Sequence, residues 1–202
     1  AGANAFVTNT SGASNTALGY YAMQGNTTGS QNVAIGATAL YTNTTGGQNT
    51  AIGGAALYTN TTGTQNVAVG YDSLVANTTG TKNTAVGYEA LSGVTTTGDN
   101  TAFGWNAGKG IIGAANIAIG PYALDAAFNS NDNVAIGNHC MTNKTSGGNC
   151  VAIGSSAMNA STSAEQCTAI GSGAFPMGLL HEIYTAKQTL HTFEHGNTKT
   201  FD

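Results

Sequence analysis

Arginine is absent from this chain, and charge of either sign is scarce. Five lysines and nine acidic residues make up 7% of its 202 residues, against about a quarter in ordinary domains. A surface that grips a polyanion needs clustered cations, so nucleic acid is not an expected partner. No apolar run approaches the roughly 18 residues that cross a bilayer, so no membrane insertion is expected. The opening Ala1-Gly2-Ala3-Asn4 has no basic stretch leading into an apolar one, so no signal peptide is visible. An initial Met is also lacking, which suggests a processed product or a fragment. Large hydrophobes are few as well: Leu, Ile, Val and Phe total 34 residues, below the share of about 20% at which disorder becomes an option. Disorder also calls for high net charge, and −4 is small.

What is present in excess is Gly (29), Thr (31) and Asn (22), and these residues are ordered in a repeat. Asn32-Val33-Ala34-Ile35-Gly36 recurs as Asn49-Thr50-Ala51-Ile52-Gly53, Asn66-Val67-Ala68-Val69-Gly70 and Asn83-Thr84-Ala85-Val86-Gly87. The closing glycines run Gly2, Gly19, Gly36, Gly53, Gly70, Gly87, Gly104, Gly120, Gly137, Gly154 and Gly171, with nine intervals of 17 residues and one of 16. A fixed period held this long is the signature of a solenoid. Because Gly2 already holds the motif glycine's place, the chain starts in mid-repeat, as if cut from a longer array or preceded by another segment.

Each repeat reads Asn-(Thr/Val)-Ala-(Ile/Val)-Gly-x-x-Ala-Leu, followed by a loop such as Asn43-Thr44-Thr45-Gly46. The β-branched alternation predicts a short strand, with Val33 and Ile35 on one side and Asn32 and Ala34 on the other. Glycine then turns the chain, and Ala39-Leu40 reads as a second short extended piece. The Asn-Thr-Thr-Gly loop supplies turn chemistry. Two strands and two turns per repeat give one coil of an all-β parallel β-solenoid, and ten intervals at about 4.8 Å span roughly 48 Å.

Stacking the coils turns positions into columns. Ile35, Ile52, Val69, Val86, Phe103, Ile119, Ile136, Ile153 and Ile170 form one apolar ladder, and Leu40, Leu57, Leu74, Leu91, Leu124, Met141, Met158 and Phe175 form another. Both are expected to line a thin interior. Ala17, Ala34, Ala51, Ala68, Ala85, Ala102, Ala118, Ala135, Ala152 and Ala169 lie opposite the Ile/Val ladder. Constant alanine there is expected to mark the close approach of another surface, through which three chains pack; that alanine simply fits a tight interior is the alternative. The Asn column from Asn15 to Asn133 suits amide ladders between rungs.

This unit resembles the head repeat of YadA-type trimeric autotransporter adhesins, and it is similar to repeats of bacteriophage tail-fibre proteins. The resemblance covers roughly residues 1–175. It implies a left-handed parallel β-roll in each chain, a homotrimer, and a protein that attaches to surfaces. The 17-residue rung is longer than the usual adhesin unit and favours the fibre-like relatives. No catalytic residue is carried over.

Past Phe175-Pro176 the repeat stops, so residues 1–175 are read as the solenoid and 176–202 as a distinct C-terminal cap or tip. Leu179, Ile183, Ala186, Leu190 and Phe193 have coiled-coil spacing, whereas the threonines and His195-Gly196-Asn197 favour a β tip, the reading preferred here.

Candidate binding residues are few. Tyr71, Tyr88 and Trp105 follow the motif glycine in consecutive rungs, where aromatic faces would suit sugar rings; a structural stacking ladder is the plainer alternative. His191 and His195, with His181 and Glu194, cluster in the tip, where ordinary capping roles are favoured over metal binding. Cys150 and Cys167 share a column in adjacent rungs, but parallel Cβ directions predict free thiols, as they do for Cys140, in keeping with assembly in a reducing compartment. The Asn-x-Thr triplets are read as a product of the loop repeat rather than glycan acceptors, and Gly104–Gly110 lacks the spacing of a phosphate loop. No catalytic constellation, metal or cofactor is expected. The sequence thus points to a non-enzymatic, trimeric adhesive fibre segment on a virion tail fibre or bacterial surface, binding a cell-surface glycan or receptor multivalently. The alternatives are an ice-binding solenoid and, less favoured, a polysaccharide-processing fibre enzyme.

Overall fold

The computed structural model describes residues 2–126 and 129–174. They form a parallel β-solenoid with one three-residue strand per rung: β1 (Thr16–Leu18), β2 (Val33–Ile35), β3 (Thr50–Ile52), β4 (Val67–Val69), β5 (Thr84–Val86), β6 (Thr101–Phe103), β7 (Ile117–Ile119), β8 (Val134–Ile136), β9 (Val151–Ile153) and β10 (Thr168–Ile170). The strands make one parallel sheet in sequence order. The register keeps every column of the repeat, with Ala34 beside Ala51 and Ile35 beside Ile52. The short interval between Gly104 and Gly120 does not break it, since Ala102 still pairs with Ala118. No helix occurs among the described residues.

The sidedness of the strands is the reverse of the expected one. The alanine column, not the Ile/Val ladder, faces the interior: Ala34, Ala51, Ala68, Ala85, Ala102, Ala118, Ala135 and Ala152 are all 0% exposed. The ladder from Leu18 to Ile170 lies on the outside, with Ile35 at 36%, Phe103 at 57% and Ile170 at 69%. The physical reason is the width of the coil. The opposite wall already places Leu40, Leu57, Leu74, Leu91 and Leu124 inside, fully buried or nearly so, and only a methyl group fits across from them. An interior that took Ile on one wall and Leu on the other would need a wider rung.

The expected second strand is also absent. Ala39 and Leu40 are both fully buried, although a strand sends consecutive side chains to opposite faces. The chain solves this with left-handed backbone at Thr38 (φ 55°) and Leu40 (φ 53°), a pattern repeated in neighbouring rungs. Each such residue costs about 1–2 kcal/mol. Bonds between rungs offset it: the Thr38 amide donates to Tyr20 O of the rung before, and the Leu40 amide to Ala56 O of the rung after. The motif glycine meets a separate demand. Gly36 has φ +134°, and a Cβ there would sit 2.4 Å from the carbonyl oxygen of Gly53.

The interior is partly polar. In the Asn15–Asn133 column each amide oxygen accepts the backbone N–H of the next asparagine, as in Asn49 N to Asn32 Oδ1 at 2.9 Å. The loop asparagines form a second buried ladder, which the sequence presents only as turn residues: Asn43 Nδ2 donates to Asn26 Oδ1 at 2.7 Å, and Asn60 to Asn43 and Asn77 to Asn60 at 2.8 Å. Asn26, Asn43, Asn60 and Asn77 are therefore buried, and their amides are inaccessible to glycan transfer. This ladder ends where Val94 takes the next place, which leaves Asn77 Oδ1 without a hydrogen-bond partner.

One rung departs from the pattern and compensates for it. Gly108 stands at the leucine position, and Ile111 at the loop-asparagine position is fully buried. A Cβ on Gly108 would lie 2.9 Å from Ile111 Cδ1, so the isoleucine occupies the space that the leucine vacates. The narrow interior leads to a test. Ala85→Leu is expected to lower stability by about 2–3 kcal/mol through overpacking, read as a drop in the denaturation midpoint. An unchanged midpoint would place the alanine column outside.

Candidate functional site

Every strand presents its first and third residues outward. The two resulting columns are Thr16, Val33, Thr50, Val67, Thr84, Thr101, Ile117, Val134, Val151, Thr168 and Leu18, Ile35, Ile52, Val69, Val86, Phe103, Ile119, Ile136, Ile153, Ile170. Neither column contains a charged residue, and threonine is the only polar type in them. The face is in register and about 43 Å long at 4.8 Å per rung. Leu18, Ile35, Ile52, Phe103, Ile119, Ile153 and Ile170 are exposed, and Val69, Val86 and Ile136 half-buried. Their open area is on the order of several hundred Å², comparable with the largest apolar patches of ordinary monomers. All-parallel sheets are nearly always covered on both faces. Here the described residues cover one.

A second feature lies past the turn. The rings of Tyr71 and Tyr88 stack with centroids 5.8 Å apart and an interplanar angle of 11°, and those of Tyr88 and Trp105 with 4.6 Å and 22°. The structure thus brings together the three aromatic residues singled out by sequence. It also shows how they are used: the faces stack on one another along the rung direction, while Tyr71 and Trp105 at the ends of the row stay exposed. Free faces remain only at the ends of the row, and at one end Gly54 lies so close that a Cβ on it would be 3.0 Å from Tyr71 Cδ2. Tyr20 holds the equivalent place but pairs with Tyr21 at 4.0 Å instead, because Ala37 and Gly54 separate it from Tyr71. Tyr41 and Tyr58 form a second stack at 5.0 Å, and Tyr122 and His139 a third at 4.9 Å.

Charged groups border the row. Lys109 pairs with Glu89. The lysine holds the Glu89 carboxyl below its usual range, and that carboxylate pushes the neighbouring Tyr88 hydroxyl up. Partial burial, then the charge of Glu89, raises Asp72. No pattern in the sequence links Lys109 to Glu89: they are 20 residues apart and meet only because successive rungs stack. His191 and His195 lie outside the described residues, as does the whole 176–202 segment. Among the described residues no group of three or more His, Cys, Asp or Glu could hold a metal ion, and no helix is long and apolar enough to cross a membrane. Comparison with protein-family models, curated proteins and solved structures finds no match to this chain.

Trp105 is the sole tryptophan, so its fluorescence reports on the row directly. Tyr88→Ala is expected to expose the indole face, shift its emission to longer wavelength and cost about 1 kcal/mol of stability. Tyr20→Ala should leave the emission in place.

Proposed function

We propose that this chain is a segment of a homotrimeric adhesive fibre, built from three left-handed β-rolls side by side, which attaches a virion tail fibre or a bacterial surface to a target cell. The observation that carries the proposal is the uncharged outer face of the parallel sheet, which the described residues leave open. In this reading three copies turn their Ile/Val ladders toward a common axis and cover them. Burying the exposed remainder of each ladder side chain contributes about 1–2 kcal/mol, repeated at every rung. This replaces the alanine column as the assembly surface, since those alanines are already buried within the chain. The repeat's resemblance to adhesin heads and phage fibres supports both the trimer and the attachment role.

Recognition of a glycan or receptor falls to groups away from that axis. Tyr71, Tyr88 and Trp105, with Asp72 and Glu89 beside them, combine aromatic surface with hydrogen-bonding carboxylates, and three copies bound together would turn weak contacts into avidity. The reading involves no catalysis and no cofactor. It predicts a particle of three times 20.1 kDa by light scattering. Ile52→Lys, which places a charge in the middle of the covered face, should yield monomers or aggregates. A wild-type monomer of 20.1 kDa would refute the trimer. Binding of the intact assembly on a glycan array, weakened by Trp105→Ala, tests the recognition step; no binding to glycans or to cells would refute it.

One observation favours a second reading. A regular, charge-free strand face with threonine in five of its ten rungs suits an ordered water lattice, so the same surface in a free monomer would be an ice-binding face. Thermal hysteresis from a monomeric sample would establish that function in place of adhesion.

A further inference from the structure

The last described rungs depart from the repeat in a coordinated way. The buried asparagine column gives way to Cys150 and Cys167, and the loop column to Lys144. Lys144 is almost completely buried. Its Nζ donates to Ala164 O at 2.6 Å and to Cys150 Sγ at 3.5 Å. The Sγ atoms of Cys150 and Cys167 are 3.2 Å apart. In-register stacking sets their Cα atoms about 4.8 Å apart, inside the separation that a disulfide spans. All three cysteines are free thiols, as the repeat predicts, and the stacking brings two of them into contact. Cys140 takes no part: its buried thiol is bonded to Ala152 O. Cys150 is buried, while Cys167 is half-exposed and reachable from solvent.

We propose that Cys150 and Cys167 are a redox-active thiol pair, which closes reversibly to a disulfide between adjacent rungs in the presence of a small dissolved disulfide. Cys167 loses its proton and its thiolate attacks one sulfur of the dissolved disulfide; that S–S bond breaks, and the first small thiolate leaves and takes up a proton. Cys150 then attacks the Cys167 sulfur, the protein S–S bond forms, and the second small thiol departs with the other proton. Two electrons pass from the pair to the dissolved disulfide. Lys144 acts as a positioning residue, its ammonium standing beside Cys150 where negative charge develops in the second step. Burial, then Cys150 itself, pushes the Cys167 thiol up to about 12; Glu165 adds to this and Lys144 opposes it. The first step therefore speeds up about tenfold per pH unit through the neutral and mildly alkaline range. Because Cys150 and Cys167 immediately precede β9 and β10, closure ties the two strands at their start.

Incubation of the folded wild-type chain with oxidised glutathione, followed by acid quench and thiol counting after unfolding, tests this. The three thiols should fall to one, and non-reducing peptide mapping should show a single bridge between Cys150 and Cys167 that dithiothreitol reverses. Three surviving thiols, a bridge through Cys140, or a persistent glutathione adduct on Cys167 would overturn the proposal. In Cys140→Ser the count should fall from two to none. In Lys144→Gln the adduct on Cys167 should accumulate because ring closure is several-fold slower; unchanged closure would remove the lysine from the scheme while leaving the wild-type result decisive for the pair.

Discussion

The width of the rung interior governs this molecule. One wall contributes a leucine or methionine, the other only a methyl group, and Ala34 and Leu40 are both completely buried as a result. Close packing of so thin a core leaves little space in which a rung could slip or rotate. It also explains why 34 large hydrophobes suffice for the chain: each rung needs a single large side chain inside. The remaining interior volume is given to asparagine amides. Burying an amide costs about 1–3 kcal/mol unless it is bonded, and here the neighbouring rungs supply the bonds. Asn49 receives Asn66 N–H on its Oδ1 and donates its Nδ2 to Gly63 O. A polar core is therefore stable only while the rungs stay in register, and the apolar wall keeps them there.

The same constraint displaces the larger β-branched residues outward. A strand has two faces, and a column barred from the inside must face solvent or a partner. The outcome is an ordered array of isoleucine and valine along one side of the described residues, whose other surfaces are mainly polar loops. Scarcity of hydrophobes in the composition and their concentration on an outer face follow from one cause. A chain that needed only solubility could carry lysine or glutamate in that ladder at no cost to its core. None of the ten rungs does.

Much of this architecture is legible in the sequence, because the period is. Once the glycines are aligned, the strands, their register and the tolerance of one 16-residue rung follow from spacing alone, as does the row Tyr71, Tyr88, Trp105. Sidedness does not follow. Alternation says that Val33 and Ile35 share a face; it cannot say which face is inside, since that depends on the opposite wall. Leu40 held part of the answer: its neighbour Ala39 is equally apolar, and two consecutive inward residues require a backbone other than a strand. The second asparagine ladder escapes notice for a similar reason. Asn43 sits in a sequence that is good turn chemistry, and only the stack reveals that its amide also bonds along the axis, to Asn26 Oδ1, besides closing its own loop at Gly46 O.

The two asparagine columns also explain how the repeat is able to change. Asn49 and Asn60 donate to the same acceptor, Gly63 O. Near the last described rungs the carbonyl at the place of Gly63, Ala164 O, again meets two donors: Cys150 Sγ from its own rung and Lys144 Nζ from the loop column of the rung before. The loop column also changes alone, at Val94 and at Ile111, with Asn83, Asn100 and Asn116 kept in the other column. Where Val94 replaces asparagine while Asn83 and Asn100 remain in the other column, Asn77 Oδ1 is left unpartnered. The two columns thus converge on one loop carbonyl, although each can change while the other is kept. A cysteine placed in one of them therefore comes within reach both of its own equivalent one rung away and of whatever occupies the partner column, so chemistry new to the repeat arises in clusters rather than at single sites.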